Sequence, residues 1–275
     1  MRKNLFTILL CLTFLPVLPG MWGKLLFSDS KFPQINTEET LPSDTAADAT
    51  ETSTESAASS QDPVITESDP VEETIVAEAP KEFTTVDTTY WSDALFIGDS
   101  RTMGLSEYAD LGDADVLASS GMSVYKVFSE KFSLPGREKQ TLEEILSARQ
   151  YGKIYITLGI NELGYNFDRS VELYKEMVEK IQALQPDAIL FLGANLHVTE
   201  EKSNSDPLFN NEAINRMNEA ISALANQQNI FYVDVNVLFD DENGNLNQEY
   251  TGDAAHILGK YYAQWAEWLL TKGIE

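Results

Sequence analysis

The sequence predicts an α/β domain built on a parallel sheet, and three observations carry that prediction. Short apolar runs alternate with segments of helical periodicity between residues 94 and 270, the pattern of successive strand–helix units with right-handed crossovers. The first run, Ala94-Leu95-Phe96-Ile97, is apolar at every position, which suits a strand covered on both faces. Three polar or conformationally special residues (Ser100, Gly121, Asn161) each fall just past the carboxyl end of such a run. Open α/β sheets place their ligands at that edge.

Two stretches of different material precede the domain. After Arg2 and Lys3 there is no charge until Lys24. At about 1.5 Å per helical residue, that run nearly spans a hydrocarbon core of about 30 Å. Residues 1–27 therefore read as a signal anchor, with Arg2 and Lys3 cytoplasmic and the rest exported. A cleaved signal peptide and a secreted protein form the rival reading, since Pro16 and Pro19-Gly20 can end an apolar core, although no small-x-small site is evident there. Cys11, the only cysteine, lies inside this segment, and it leaves no disulfide for the exported part. Residues 28–80 hold thirteen acids against one base, Lys31, and almost no aromatics. With −12 in charge the stretch cannot bury enough apolar surface to fold, and it reads as a disordered, self-repelling stalk.

Residues 81–275 suit one domain. Of the total −25, this part carries −16 once the stalk and the three N-terminal bases are set aside. Such a balance argues against nucleic acid and against docking on anionic lipid, so membrane contact is left to the N-terminal helix. Strands are expected at 95–97, 115–118, 153–158, 188–192 and 230–233. Thr141-Leu142-Glu143-Glu144 is a capping box opening a helix to about Arg149. Residues 170–184 place Val171, Tyr174, Val178 and Ile181 on one helical face, and Pro186 stops that helix. Residues 211–226 and 257–270 complete the helices. Asn243-Gly244 reads as a tight turn, because Phe239 falls where a calcium loop needs its first ligand.

Chemistry concentrates at two places. Ile97-Gly98-Asp99-Ser100 exits a strand abruptly, and Ser100 is either a helix cap or a hydroxyl presented at the sheet edge. Near the other end, Asp253-Ala254-Ala255-His256 holds one of only two histidines. Serine, histidine and aspartate supply the three roles of acyl transfer: a nucleophile, a base that takes its proton, and a carboxylate that orients the base. Asp-x-x-His alone is a weak signal. Asn161 fits either a loop backbone contact or an oxyanion donor.

Gly98-Asp99-Ser100, Gly121, Gly159-Ile160-Asn161 and Asp253-x-x-His256 together resemble the four blocks of the SGNH (GDSL) hydrolase family, over roughly residues 90–270. The resemblance implies a three-layer α/β/α sandwich with a five-stranded parallel sheet, flavodoxin-like in arrangement. It also implies a nucleophile at Ser100, a base at His256 with Asp253 as its partner, and an oxyanion hole formed by the Ser100 and Gly121 N–H groups and the Asn161 amide. Glu162 stands where many members have Asp, and Arg101 is unusual after the serine.

Arg101 has three readings: pairing with a local acid, solvation, or contact with an anionic part of a substrate. His197 either lines the substrate cleft or is a loop histidine without chemistry. Tyr125, Phe128, Tyr165 and Phe167 either stack on a sugar or serve the core. No cofactor is expected, and two histidines with a remote cysteine do not make a zinc site. The expectation is a membrane-tethered, extracellular serine esterase with a monomeric catalytic domain, which removes small acyl groups, O-acetyl above all, from a carbohydrate. The alternatives are an acyltransferase that hands the same acyl group to a cell-surface glycan and a catalytically silent carbohydrate-binding module.

Overall fold

The computed structural model describes residues 79–275. The expected anchor over 1–27 and the stalk as far as residue 78 lie outside the described residues. No helix among the described residues is long and apolar enough to cross a membrane.

The strands are β1 (Ala94–Gly98), β2 (Asp115–Ala118), β3 (Lys131–Phe132), β4 (Gln140–Thr141), β5 (Lys153–Thr157), β6 (Ile189–Gly193) and β7 (Ile230–Val233). Five of them form one sheet in the order β2-β1-β5-β6-β7, parallel throughout, while β3 and β4 pair antiparallel apart from it. The helices are α1 (Ser100–Tyr108), α2 (Leu142–Ala148), α3 (Phe167–Leu184), α4 (Glu200–Ser205), α5 (Asn211–Ser222), α6 (Asn236–Phe239) and α7 (Tyr262–Leu269).

Side chains alternate across each strand, so every strand feeds two cores. Leu95, Ile97, Ile154, Ile156, Leu190 and Leu192 meet Ile145, Tyr174, Val178 and Ile221 from α2, α3 and α5. Phe96, Tyr155, Phe191 and Phe231 face the other way, beneath Leu105 of α1 and Trp265 and Leu269 of α7. Helices thus cover both faces, which is why β1, β5 and β6 are apolar almost throughout. On the α1/α7 side the parallel register sets Phe96 beside Tyr155, Tyr155 beside Phe191 and Phe191 beside Phe231. The first two pairs stack at 4.5 Å and the third is tilted at 6.0 Å. One row of aromatic rings therefore crosses four strands, and the Tyr155 hydroxyl beneath it accepts the Trp91 indole N–H at 3.2 Å.

Several boundaries differ from expectation, each for a local reason. α3 begins at Phe167 and not at 170, because the Asn166 side chain accepts the Arg169 N–H at 2.9 Å and caps it. α5 stops at Ser222, short of 226, because Asn226 Oδ1 gathers the N–H groups of Gln228, Asn229 and Ile230 into a turn. The closing helix α7 starts at Tyr262 and not at 257, because Ile257 forms an antiparallel bridge with Thr251 and residues Gly259–Tyr261 make a 3-10 turn. The turn at Asn243-Gly244 is closed by the Gly244 N–H on the Asp241 carbonyl at 3.1 Å and flanked by an Asp240–Leu246 bridge.

The chain leaves β1 for β2 on one side and returns to β5 on the other. Strand order reverses between β1 and β5, and the crevice at such a reversal is where ligands bind. Gly98-Asp99-Ser100 and Gly159-Ile160-Asn161 leave the sheet there.

Candidate active site

β1 ends in Gly98, and Asp99, not Ser100, caps α1: Asp99 Oδ1 accepts the Arg101 N–H at 2.8 Å. The Ser100 hydroxyl is left free of capping and lies 2.9 Å from His256 Nε2.

His256 reaches Ser100 from a pinched loop. The Thr251–Ile257 bridge closes it, and the Leu258 N–H donates to the Tyr250 carbonyl at 2.7 Å just outside. Within the loop Asp253 Oδ1 accepts the N–H groups of Ala255 (3.0 Å) and His256 (2.7 Å) and the Thr251 hydroxyl (3.3 Å). Ala254 is forced into the left-handed region at φ 69°, which an alanine seldom adopts, and its carbonyl is held by the Thr199 N–H at 3.0 Å. That twist leaves Asp253 Oδ2 facing His256 Nδ1 at 2.7 Å. Burial pushes the Asp253 carboxyl up. The His256 and Ala255 N–H groups and the His256 ring together outweigh burial and hold it down at about 2. A carboxylate can only accept, so Nδ1 carries the ring proton and the Nε2 lone pair faces the serine hydroxyl.

Gly121 and Asn161 lie in the loops that leave β2 and β5. Gly121 takes φ 73° in the loop after β2, and a Cβ there would meet nothing within 4 Å. Backbone conformation, not crowding, is what asks for glycine. Gly159, at φ 128°, turns the chain from β5 into the 3-10 turn Ile160–Glu162 that carries Asn161. The Asn161 amide donates one N–H to the Met122 carbonyl at 2.9 Å, and its nitrogen is 3.5 Å from Asp99 Oδ2. Its second N–H is therefore only weakly held. An open cleft of about 490 Å³ runs beside Ser100 and His256, lined by Met103, Glu107, Tyr108, Ser120, Leu258 and Tyr262 among others.

Arg101 and His197 lie away from this cleft. Arg101 is 3% exposed. Its Nη2 donates to the Ala255 carbonyl at 3.1 Å and its Nη1 lies 4.0 Å from Asp99, so it faces the back of the histidine loop and not substrate space. His197 is buried, with Nδ1 2.8 Å from Asp240 and Nε2 2.7 Å from Asn215. Burial opposes its protonation, and the bonds to Asp240 and Asn215 outweigh burial and raise its pKa. Its two ring nitrogens link the loop after β6 to α5 and to Asp240, the residue that ends α6. Among the aromatics, Tyr125 and Tyr165 stack on each other at 5.0 Å on the surface, while Phe128 and Phe167 pack partly buried against the core.

Glu162, which stands where many members of the family have Asp, is buried beside Asn161. It is 2% exposed, and its Oε1 accepts the Val124 N–H at 2.6 Å. A carboxylate directly after Asn161 was its only signal.

The chain matches the family model described as GDSL-like Lipase/Acylhydrolase over residues 96–263. It belongs to that family and is an ester hydrolase of the SGNH type. Solved structures similar to it include a Streptococcus pneumoniae protein described provisionally as a platelet activating factor, 21% identical, with a TM-score of 0.50 over 66% of this chain and 90% of that one. A GDSL-like lipase from Bacteroides thetaiotaomicron is 18% identical, with a TM-score of 0.48 over 68% of this chain and 89% of that one. A catalytic mutant of an acetylxylan esterase from Geobacillus stearothermophilus is 17% identical, with a TM-score of 0.45 over 66% and 94%. The first of these shares the fold. No curated protein matches the chain.

Proposed function

We propose that this ester hydrolase works through an acyl-enzyme at Ser100 and acts on small acyl esters, O-acetyl groups on a carbohydrate being the intended substrate. The observation that carries the reading is the continuous line from Asp253 Oδ2 through His256 to the Ser100 hydroxyl, at 2.7 and 2.9 Å. In this reading Ser100 Oγ bonds to the ester carbonyl carbon while His256 Nε2 takes the hydroxyl proton, and Asp253 stabilises the charged ring. The carbonyl oxygen, now an anion, is met by the Ser100 and Gly121 N–H groups and the second N–H of Asn161. The imidazolium returns its proton to the leaving alcohol, and water repeats the sequence to free the acid and Ser100. An open cleft whose walls mix Glu107 and Ser120 with Met103, Tyr108 and Tyr262 supports a small acyl group carried on a larger alcohol. The uncharged N-terminal run and the acidic stretch after it support a membrane-tethered, extracellular placement, with residues 81–275 as the catalytic domain.

Turnover of p-nitrophenyl acetate and of an acetylated glycan, with and without a free sugar acceptor, tests the reading. Wild type should release acetate and accept a fluorophosphonate label at Ser100, and S100A should do neither while keeping its fold. Acetate appearing on the sugar would make the enzyme a transferase. A label on another serine, or full turnover by S100A, would remove Ser100 from the mechanism.

A further inference from the structure

In the oxyanion hole proposed above, two separate loops supply the donors, the Gly121 N–H after β2 and the Asn161 amide after β5. An oxyanion hole needs its donors at a fixed spacing, and two loops offer that only if something ties them together. Among the described residues, two hydrogen bonds do so. Asn161 Nδ2 donates to the Met122 carbonyl at 2.9 Å, which uses part of Asn161's own donor capacity. The other bond comes from the neighbouring residue: Glu162 Oε1 accepts the Val124 N–H at 2.6 Å, two buried partners 38 positions apart.

Glu162 is a strange residue to find there for packing alone. Its Oε2 is buried and has no hydrogen-bond partner, a condition that native structures rarely keep without a reason. Asp99, wholly buried behind Ser100, adds a second acid nearby. An apolar side chain of the same length would avoid both costs, but it would leave the Val124 N–H without an acceptor and the two loops joined only through Asn161.

We propose that Glu162 is a positioning residue of the hydrolase: by accepting the Val124 N–H it locks the loop of Gly121 onto the turn of Asn161 and so sets the spacing of the oxyanion donors. The inference rests on the oxyanion hole described under the proposed function. Glu162 itself touches no substrate. It acts through the position of its neighbours, so its removal should weaken the tetrahedral state and spare ground-state binding.

The test compares E162M, which keeps the bulk and loses the acceptor, with E162Q, whose amide oxygen can still take the Val124 N–H. N161A serves as the reference. Active sites are counted by the end point of fluorophosphonate labelling, so that kcat is read per competent molecule. A boronic acid, which forms a tetrahedral adduct on serine, reports the oxyanion hole directly. E162M should lose roughly 10- to 100-fold in kcat with KM within about twofold, and boronate affinity should fall in parallel. E162Q should recover most of both. An E162M enzyme as fast as wild type per titrated site, or one slowed with boronate affinity unchanged, overturns the proposal. If E162M does not fold, a folded E162Q that loses more than about tenfold overturns it as well, since the retained acceptor would then not suffice. If N161A also leaves kcat and boronate binding intact, the oxyanion hole itself has been misread. Loss in N161A with none in E162M removes Glu162 alone.

Discussion

Asp253 divides its two oxygens between two tasks. Oδ1 shapes the loop through the Ala255 and His256 N–H groups, and Oδ2 orients the ring. Because those bonds hold its carboxyl down at about 2 against the upward push of burial, Asp253 stays ionised through ordinary acid conditions. The sign for activity follows. Protonation of Asp253, which would free the ring to turn, should cost kcat/KM only as pH falls toward about 2. His197→Ala should leave the pH–rate profile of wild type unchanged, because the His197 ring is held by Asp240 and Asn215 and not by the site. Asp253→Asn should keep the fold but lose up to about 10⁴ in kcat through loss of ring orientation, read from steady-state rates. Arg101→Met gives a milder case. It keeps most of the bulk but drops the bond to the Ala255 carbonyl and leaves the buried Asp99 without its cation, so kcat should fall by roughly tenfold and the melting midpoint should fall with it. Of these residues, the meeting of Ser100, Asp253 and His256 was expected from the four blocks taken jointly, since Asp-x-x-His alone is a weak signal. The burial of Arg101 was not legible, since a lone arginine defaults to solvent, and only the loop folding back over α1 covers it.

At the scale of elements, the sheet was written in its apolar runs, and all five strands of the sheet fall where those runs lie. Helix ends were less legible, because single side chains set them: Asn166 starts α3 early and Asn226 holds its turn beyond an α5 that ends early. The β3–β4 pair was invisible, as two residues per strand carry no periodicity. The aromatic row across β1, β5, β6 and β7 is visible only once register aligns Phe96, Tyr155, Phe191 and Phe231. Phe191 occupies the middle of that row and is fully buried, so Phe191→Ala should cost about 3–5 kcal/mol through lost transfer energy and an unfilled cavity. A urea titration with unchanged slope and an earlier midpoint would measure it.

At the scale of the whole molecule, the first described residues belong to the folded unit. The Lys81 N–H donates to the Gln227 carbonyl at 3.0 Å, Thr84 and Gly273 exchange hydrogen bonds of 2.8 and 2.9 Å, and the Val86 N–H reaches the Leu270 carbonyl at 2.8 Å. The Phe83 ring lies 5.7 Å from that of Phe231. A chain beginning at Lys81 should thus melt and turn over like the whole protein, whereas one beginning at Asp87 should melt lower in a thermal scan.

The Thr84–Gly273 pairing has one more consequence. It brings the first and last segments of the folded unit side by side, although Ser100 and His256 are 156 positions apart along the chain. A short glycine-rich bridge could then join residue 275 to residue 81, with new termini opened at exposed Gly136, where an added Cβ would meet nothing within 4 Å. In such a circular permutant the ribosome would make Asp253 and His256 first and Ser100 last, reversing their order of synthesis. Esterase activity surviving that reversal would show that the site depends on the three-dimensional meeting of sheet edge and loop, and is indifferent to which of them leaves the ribosome first.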